Sequence, residues 1–285
     1  MHNTSRGLTF LLTAAIGCSA PEYNSAAHNI MQIKSQQPTF KITDQKYLQA
    51  EVTLGTPEIE NVPYLNESIP LLTLVTQYKQ QHPGLTQPVL YIEKSNRTLT
   101  TYMCINPNIP SAISTPQNDP RCTALKVYPV SLGYNPVGDK QCRGDFKTPE
   151  GEFYITKIKQ PGKSKFHAAM RISYPSPAQA IDGKQCNIKD STGNQTTKFV
   201  TPAQVKQIKQ AYENCTTPPA DTPLGNEVQI HGAGGNPSDN WTWGCIAPSS
   251  DALDELLDPK INLIKTGCYF PQGKRIEKTK VIIVP

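Results

Sequence analysis

The stretch Val228–Leu257 reads VQIHGAGGNPSDNWTWGCIAPSSDALDELL and carries the most informative pattern in the chain. A short apolar strand, 228–230, leads to His231, and a glycine-rich turn follows. A polar loop then leads to Cys245, after which serines and an aspartate precede an apolar helix face. Because this loop can fold back, we expect one histidine and one cysteine to meet, as a cysteine nucleophile with a histidine base requires.

Composition favours a mainly β fold with a few short helices. The 285 residues are enough to bury a sizeable core, and 26 prolines and 18 glycines interrupt the chain often. Frequent breaks of this kind favour short strands over long helices. The net charge of +5 comes from scattered residues, without a basic block interleaved with aromatic side chains, so we expect no nucleic-acid partner.

The N-terminus has the pattern of an export signal. An apolar run, Leu8–Gly17, follows Arg6 and is too short to span a membrane. It ends at Cys18 in the sequence AIGC, which resembles the lipobox of bacterial lipoproteins, where the cysteine after the cleavage site carries lipid. We therefore predict an exported, periplasmic protein with a lipid anchor on Cys18, held at the outer membrane rather than the inner one. The alternative is ordinary cleavage after Ala20, without an anchor.

The chain divides by its composition into four parts. The region after the leader is polar and low in aromatic residues, as a flexible linker is. The predicted parts are a signal peptide and lipobox (1–18), a flexible tether (19–45), a small N-terminal appendage (46–86) and a main domain (87–285) with insertions near 105–121 and 182–220.

Local patterns predict the elements of the last two parts. A helix begins near Asn66–Ser68 and ends at His82–Gly84, and we expect it to pack on the main domain. A second short helix is predicted over 202–212. Strands are predicted where β-branched and aromatic residues cluster between turns, at 89–93, 98–103, 124–133, 152–156, 170–174 and 280–284.

The chain contains eight cysteines, and an exported protein enters an oxidising space. With Cys18 assigned to lipid and Cys245 to chemistry, six remain, and six cysteines allow 15 pairings. Proximity along the chain suggests three pairs, although sequence does not choose among the possibilities. These pairs are Cys104 with Cys122, Cys186 with Cys215, and Cys142 with Cys268.

If Cys18 carries lipid, seven cysteines remain, so one of them is free or bridges to another chain, and we expect Cys245 to be the free one. A thiol before a helix N-terminus is stabilised as the thiolate by the helix dipole, so we expect Cys245 in that form. No CxxC pair occurs and histidines are scarce, so we expect no metal site.

Only five histidines are available as a base. His2 lies in the leader, His28 in the tether and His82 in a helix-ending turn. A lone histidine is most often structural. The glycine-rich turn and the Gly-Cys pair that follow His231 nevertheless favour His231 as the catalytic base. His167, just before a strand, is the second candidate.

Three motifs in one order resemble a known family. They are YPVSLG at 128–133, the turn-rich loop 138–151 with GD and GDFKTPEG, and IHG followed by TWGCIAPSS at 230–250. The set resembles the YkuD-type L,D-transpeptidase catalytic domain of bacterial peptidoglycan enzymes, over about 88–285 without the two insertions. The resemblance implies an L,D-transpeptidase-type β-sandwich whose reactive cysteine and histidine lie in a groove, with no cofactor.

The resemblance also implies roles. Cys245 is the nucleophile, His231 the base and acid, and the Gly232 carbonyl orients the imidazole. The amides of Gly244 and Cys245 stabilise the oxyanion. Such an enzyme cleaves the L–D bond of a peptidoglycan stem tetrapeptide and transfers the acyl group to an amine, giving a 3-3 cross-link or an attached protein.

Substrate contacts are predicted in three places. Arg143 and Lys147 suit carboxylates of a stem peptide, and Tyr174, at the end of a predicted strand, is a third candidate. The family motif has a second histidine just before Gly-Cys, whereas this chain has Trp243, which either lines the groove and contacts substrate or packs in the core. The acceptor, amine or water, stays open.

Three other interpretations remain at this point. With water as acceptor the same pair makes a murein hydrolase, an L,D-carboxypeptidase or an amidase. A catalytically dead wall-binding lipoprotein is the second, although the intact pair argues against it. Sequons at Asn96 and Asn194 suggest a secreted glycoprotein as the third.

Overall fold

The structure is a computed structural model, and it describes residues 68–105, 115–189, 193–270 and 273–285. The signal peptide, Cys18, the tether and most of the appendage predicted above lie outside these residues. The domain boundaries drawn from the sequence therefore stay predictions.

The described residues form mainly strands, which confirms the predicted fold class. The helices are α1 (Leu71–Gln81), α2 (Pro202–Glu213) and α3 (Ser250–Leu256), with a 3-10 helix at Pro116–Asn118. The strands are β1 (Thr86–Glu93), β2 (Thr98–Ile105), β3 (Cys122–Pro129), β4 (Leu132–Gly133), β5 (Gly151–Ser164), β6 (His167–Ile172), β7 (Gln185–Lys189), β8 (Gln195–Phe199), β9 (Gln229–His231), β10 (Asn240–Thr242), β11 (Cys268–Tyr269), β12 (Ile276–Glu277) and β13 (Lys280–Val284).

A seven-stranded sheet organises the fold, in the order β3-β2-β1-β13-β5-β6-β9. The β1 and β13 strands run parallel, and their other neighbours in the sheet are antiparallel. Three two-stranded pairs, β10-β4, β11-β12 and β7-β8, lie outside it. The last strand of the chain therefore sits in the middle of the sheet and joins its two ends.

The sheet buries apolar side chains on both faces. Successive side chains of a strand point to opposite faces, so Leu90 and Ile92 of β1 enter the main core while Val89 and Tyr91 enter a smaller cluster. Six consecutive residues of β1 are buried, which explains the near-continuous apolar run in its sequence. Strand β2 shows the same run of six buried residues, so this pair of strands is enclosed on both faces.

Helix α1 packs on the main core, as expected for the appendage helix. Leu71, Val75 and Tyr78 share one buried face, at the spacing of an amphipathic helix. Glu255 of α3 accepts a hydrogen bond from the Leu71 amide, where the helix dipole favours negative charge. The same carboxylate accepts from Lys126 at 2.9 Å, so α1, α3 and β3 meet at one charged group.

Only one of the three suggested disulfides forms as suggested. Cys104 pairs with Cys122, across neighbouring strands β2 and β3. The other two suggestions are wrong, because the bonds join Cys142 to Cys186 and Cys215 to Cys268. Strand β8 and helix α2 lie between Cys186 and Cys215, and Cys215, just after α2, bonds to Cys268 of β11.

The insertion at 182–220 is more regular than its polar composition indicated. Helix α2 forms where it was predicted, with a capping box between Thr201 and Gln204. Strands β7 and β8 form a hairpin that the sequence analysis missed, since most of their side chains are polar. None of the described helices is long and apolar enough to cross a membrane.

Candidate active site

A pocket of about 570 Å³ opens at the β9 end of the sheet. Both sequence-predicted reactive residues, Cys245 and His231, line it, and so does Trp243. The other lining side chains are mainly aromatic or charged: Phe166, Trp241, Lys159, Lys165 and Glu227.

The backbone brings the two reactive residues into one pocket. Strand β9 delivers His231, and its amide donates to the Ile246 carbonyl at 3.0 Å. The Ile246 amide in turn donates to the Gln229 carbonyl at 3.0 Å, so the residues after Cys245 run parallel to β9. The loop 232–244 thus folds back, as the sequence predicted.

The glycine-rich turn is required by a close approach of two chain segments. A Cβ on Gly234 would lie 2.0 Å from the Ala247 carbonyl oxygen, which no side chain could tolerate. The Gly234 amide donates to the Pro248 carbonyl at 3.0 Å. The turn therefore fastens the segment after His231 to the segment after Cys245.

His231 is held in one orientation by its own backbone neighbour. Its Nδ1 donates to the Gly232 carbonyl at 2.8 Å, which leaves Nε2 to accept a proton. Phe166 stacks on the imidazole with ring centroids 4.2 Å apart, and Trp241 meets it edge-on at 5.5 Å. Burial lowers the pKa of His231, the Gly232 bond opposes this, and the positive charge of Lys165 adds to the lowering. The imidazole is therefore neutral near pH 7.

Cys245 is a free thiol, as predicted. Its Sγ lies 3.9 Å from the Glu227 carbonyl oxygen, to which the thiol can donate. Burial raises the pKa of Cys245, although the Gln229 amide and the charge of Lys140 act in the other direction. Burial therefore opposes the expected resting thiolate, and α3, whose dipole was expected to favour it, begins only at Ser250.

The oxyanion donors differ from the expectation at one position. The Gly244 amide already donates to Thr242 Oγ1 at 3.2 Å, and that hydroxyl donates to the Cys245 carbonyl at 2.7 Å. Within the described part of the chain, the Cys245 amide has no acceptor. Of the two predicted donors, only the Cys245 amide is therefore available to a developing oxyanion.

Two ion pairs fix the loop beneath Gly244. Lys140 is buried, and its Nζ donates to Asp145 at 2.6 Å and to the Cys142 carbonyl at 3.2 Å. Burial alone would raise the pKa of Asp145, but Lys140 and backbone amides together lower it. Lys94, directly after β1, donates to Glu150 at 2.8 Å. The loop 138–150 is thereby attached to the rigid centre of the sheet.

Three predicted substrate contacts lie away from the pocket. Tyr174 is fully buried and its hydroxyl donates to the Leu224 carbonyl at 2.8 Å, so the predicted substrate contact is wrong for this residue. Arg143 lines a separate cavity and donates to the Ala220 carbonyl at 3.2 Å. The Lys147 ammonium lies beside Gly138, near the loop rather than the pocket. The spacing of these residues in the sequence gave no indication of where their side chains point.

The pocket uses residues that the sequence analysis missed. The tip of the β5–β6 hairpin supplies Lys165 and Phe166, with the Lys165 ammonium 4.7 Å from the Phe166 ring centre. Lys159 from β5 adds a second positive charge. Glu227 also faces the pocket, but Arg171 lies 3.4 Å from its carboxylate. The sequence KSKFH before the predicted strand was the available signal, and it shows that positive charge predominates here.

No cluster of three or more histidine, cysteine, aspartate or glutamate side chains suited to a metal ion occurs among the described residues.

Comparison with known proteins gives a family match. The model of the YkuD family, described as the L,D-transpeptidase catalytic domain, matches residues 117–283, which is more than half of the chain. No curated protein sequence matches.

Several solved structures are similar at low identity. The helical cell shape determining protein Pgp2 from Campylobacter jejuni is 17% identical, with a TM-score of 0.37, 70% of this chain covered and 47% of Pgp2. An L,D-transpeptidase from Xylanimonas cellulosilytica is 11% identical, with a TM-score of 0.32 and coverages of 73% and 69%. L,D-transpeptidase 1 from Mycobacterium tuberculosis is 14% identical, with a TM-score of 0.28 and coverages of 70% and 62%. This chain thus spans about half the length of Pgp2.

Proposed function

This chain belongs to the YkuD family of L,D-transpeptidase catalytic domains, and we propose that it is a peptidoglycan L,D-transpeptidase with Cys245 as nucleophile and His231 as base. One observation carries the proposal. A free cysteine and a histidine whose Nδ1 is fixed by the Gly232 carbonyl line the same pocket. This is the arrangement that covalent acyl transfer requires.

The first half of the reaction forms a thioester. The Cys245 proton passes to Nε2 of His231 as Sγ attacks the carbonyl carbon of the third stem residue. The oxyanion that develops accepts a hydrogen bond from the Cys245 amide. The imidazolium then gives the proton to the nitrogen of D-alanine, the amide bond breaks, and D-alanine leaves.

The second half returns the thiol. An amine attacks the thioester carbonyl and loses a proton to His231, and Sγ leaves and recovers that proton. The product is a new amide, as in a 3-3 cross-link or an attached protein. Water in place of the amine would give a trimmed stem peptide instead.

The charged side chains of the pocket suit an acidic donor peptide. Lys159 and Lys165 lie on the β5–β6 hairpin, while the one carboxylate, Glu227, is paired with Arg171. A stem peptide carries free carboxylates. Lysine ammonium groups attract carboxylates at separations below the Debye length, where dissolved salt screens the attraction only partly. These two lysines take the role first assigned to Arg143 and Lys147.

The proposed location is the periplasm, with a lipid on Cys18. Three disulfides within the described residues support an oxidising compartment. Mass spectrometry of the protein purified from membranes tests the anchor, since a Cys18→Ser variant would lose both the lipid mass and the membrane fraction.

The muropeptide assay tests the activity. The chain from residue 19 is incubated with disaccharide tetrapeptides, and the products are separated and weighed. Cross-linked dimers with loss of D-alanine support the proposal, and trimmed tripeptides alone would make the protein an L,D-carboxypeptidase. No product, or equal product from Cys245→Ala, would refute the enzyme assignment.

A further inference from the structure

Beside the pocket lies a row of three exposed aromatic side chains that the reaction does not use. Trp243 is 75% exposed, Tyr134 58% and Phe146 37%. Phe146 meets Trp243 edge-to-face at 5.7 Å and Tyr134 at 6.0 Å, so the rings form one continuous row. Trp243 also lines the pocket, which makes the row an extension of it.

The backbone beneath this row is held firmly, although the rings face solvent. The Tyr134 amide donates to the Thr242 carbonyl at 3.0 Å, and the Asn135 amide donates to the Phe146 carbonyl at 3.1 Å. Three separate chain segments are therefore fixed to one another. A surface fixed in this way does not lose conformational freedom when a ligand binds.

Phe146 adopts a backbone conformation that costs free energy. Its φ is +58°, in the left-handed region that side chains other than glycine, asparagine and aspartate rarely adopt. Such strain concentrates at sites of function, and here it turns an apolar ring outward instead of into the core.

We propose that Tyr134, Phe146 and Trp243 form a saccharide-binding platform for the glycan strand that carries the stem peptide. The faces of aromatic rings are electron-rich, and they attract the polarised C–H groups on the face of a pyranose ring. The proposal rests on the proposed function, because a stem peptide bound in the pocket is covalently attached to a glycan strand. That strand must extend over the surface next to the pocket.

The size of the row favours a saccharide over a protein. Three partly exposed rings offer roughly a few hundred Å², which is the range of functional patches on monomers. A stable protein interface needs about 800 Å² from each partner.

Binding is measured first on a protein that cannot turn over. Cys245→Ala is titrated with a peptide-free tetrasaccharide of alternating N-acetylglucosamine and N-acetylmuramic acid, followed by NMR. We expect saturable binding that weakens about three- to tenfold when Tyr134→Ala is added. Phe146→Gly, which relieves the backbone strain, serves as the second variant, with the same loss expected.

The matched control is Phe270→Ala, which removes another exposed aromatic ring. It should leave saccharide binding unchanged. Absence of saturable binding, or equal binding by the Tyr134→Ala protein, overturns the platform. Binding to anionic phospholipid vesicles without binding to the saccharide overturns it too, since the row would then be a membrane contact.

Turnover separates this inference from the enzyme assignment. Wild-type protein should prefer disaccharide tetrapeptide to the sugar-free tetrapeptide in kcat/KM, and Tyr134→Ala should reduce that preference. If neither substrate reacts, the proposed function fails, while the binding titration still decides whether the platform exists. If both react equally in wild type, the platform is refuted and the enzyme assignment stands.

Discussion

The two ends of the seven-stranded sheet differ in regularity. On the β3 side, strand β1 pairs with β2 over eight residues without interruption and in register with β13, and only the edge pair β2–β3 shifts register, once. At the other end the β5–β6 pairing shifts register twice, and the edge strand β9 has only three residues. Both ends bury apolar side chains, but the pocket lies at the irregular end.

This difference shows how one sheet provides both stability and chemistry. Irregular pairing turns side chains away from the alternating pattern and lets Phe166, His231 and Cys245 converge. The regular strands resist that distortion because their side chains are buried on both faces. Substitutions at the two ends should therefore separate activity from stability.

The largest expected effect is at the irregular end. Cys245→Ala should reduce turnover of tetrapeptide by at least about a thousandfold, because the nucleophile is lost. Its free energy of unfolding, measured by urea denaturation, should match that of wild type within about 0.5 kcal/mol, as for a small change outside the main core. A large loss of stability would show that the two ends are not separable.

The opposite result is expected at the regular end. Leu90→Ala removes a fully buried side chain of β1 and should lower the free energy of unfolding by about 3 kcal/mol. Urea denaturation gives the stability, and kcat per folded molecule should stay near the wild-type value. Leu85→Ala, at an exposed leucine, is the control and should change neither quantity.

A smaller effect on activity should follow from removing the aromatic ring that holds the His231 imidazole in place. Phe166→Ala removes the ring stacked on His231 and should reduce kcat/KM about tenfold, because the imidazole gains freedom to rotate. Phe199→Ala at an exposed position of β8 should have no effect. The rate at which a carbapenem acylates Cys245, measured by stopped flow, reports the acylation step directly. An unchanged rate in Phe166→Ala would show that Phe166 does not position the base.

The smallest effect is a shift in pH dependence. Because burial keeps the pKa of His231 below the ordinary value of about 6.5, activity should persist to lower pH than for a solvated histidine. The Lys165 charge adds to this lowering, so Lys165→Met should raise the pKa and move the acid limb of kcat/KM to higher pH. Lys163→Met, at an exposed neighbouring position, should leave the acid limb in place. A shift of the limb to lower pH in Lys165→Met would contradict the effect assigned to the Lys165 charge.

The sequence predicted those parts of the fold and site that depend on local pattern. Strand β1, helix α2 and the fold-back of His231 toward Cys245 follow from apolar runs, a capping box and a glycine-rich turn. Each signal lies within a few residues of the element that it specifies.

The errors come from contacts between distant segments. Tyr174 is buried by neighbours far away in the chain, and Lys165 reaches the pocket only because the β5–β6 hairpin is long. The Gly244 amide donates to the Thr242 hydroxyl instead of facing a substrate. The pKa of Cys245 depends on burial, which no local motif indicates. Such properties depend on packing between distant segments, and they cannot be inferred from local patterns in a single sequence.

The order of the disulfides has a consequence for how the chain matures. Each bonded cysteine in the described residues pairs with the next along the chain, except that Cys215 passes over Cys245 to reach Cys268. In a chain oxidised progressively from its N-terminus, Cys245 becomes available before the correct partner. A premature Cys215–Cys245 bond would block the nucleophile and leave Cys268 unpaired. Thiol exchange or early shielding of Cys245 would prevent that bond from persisting.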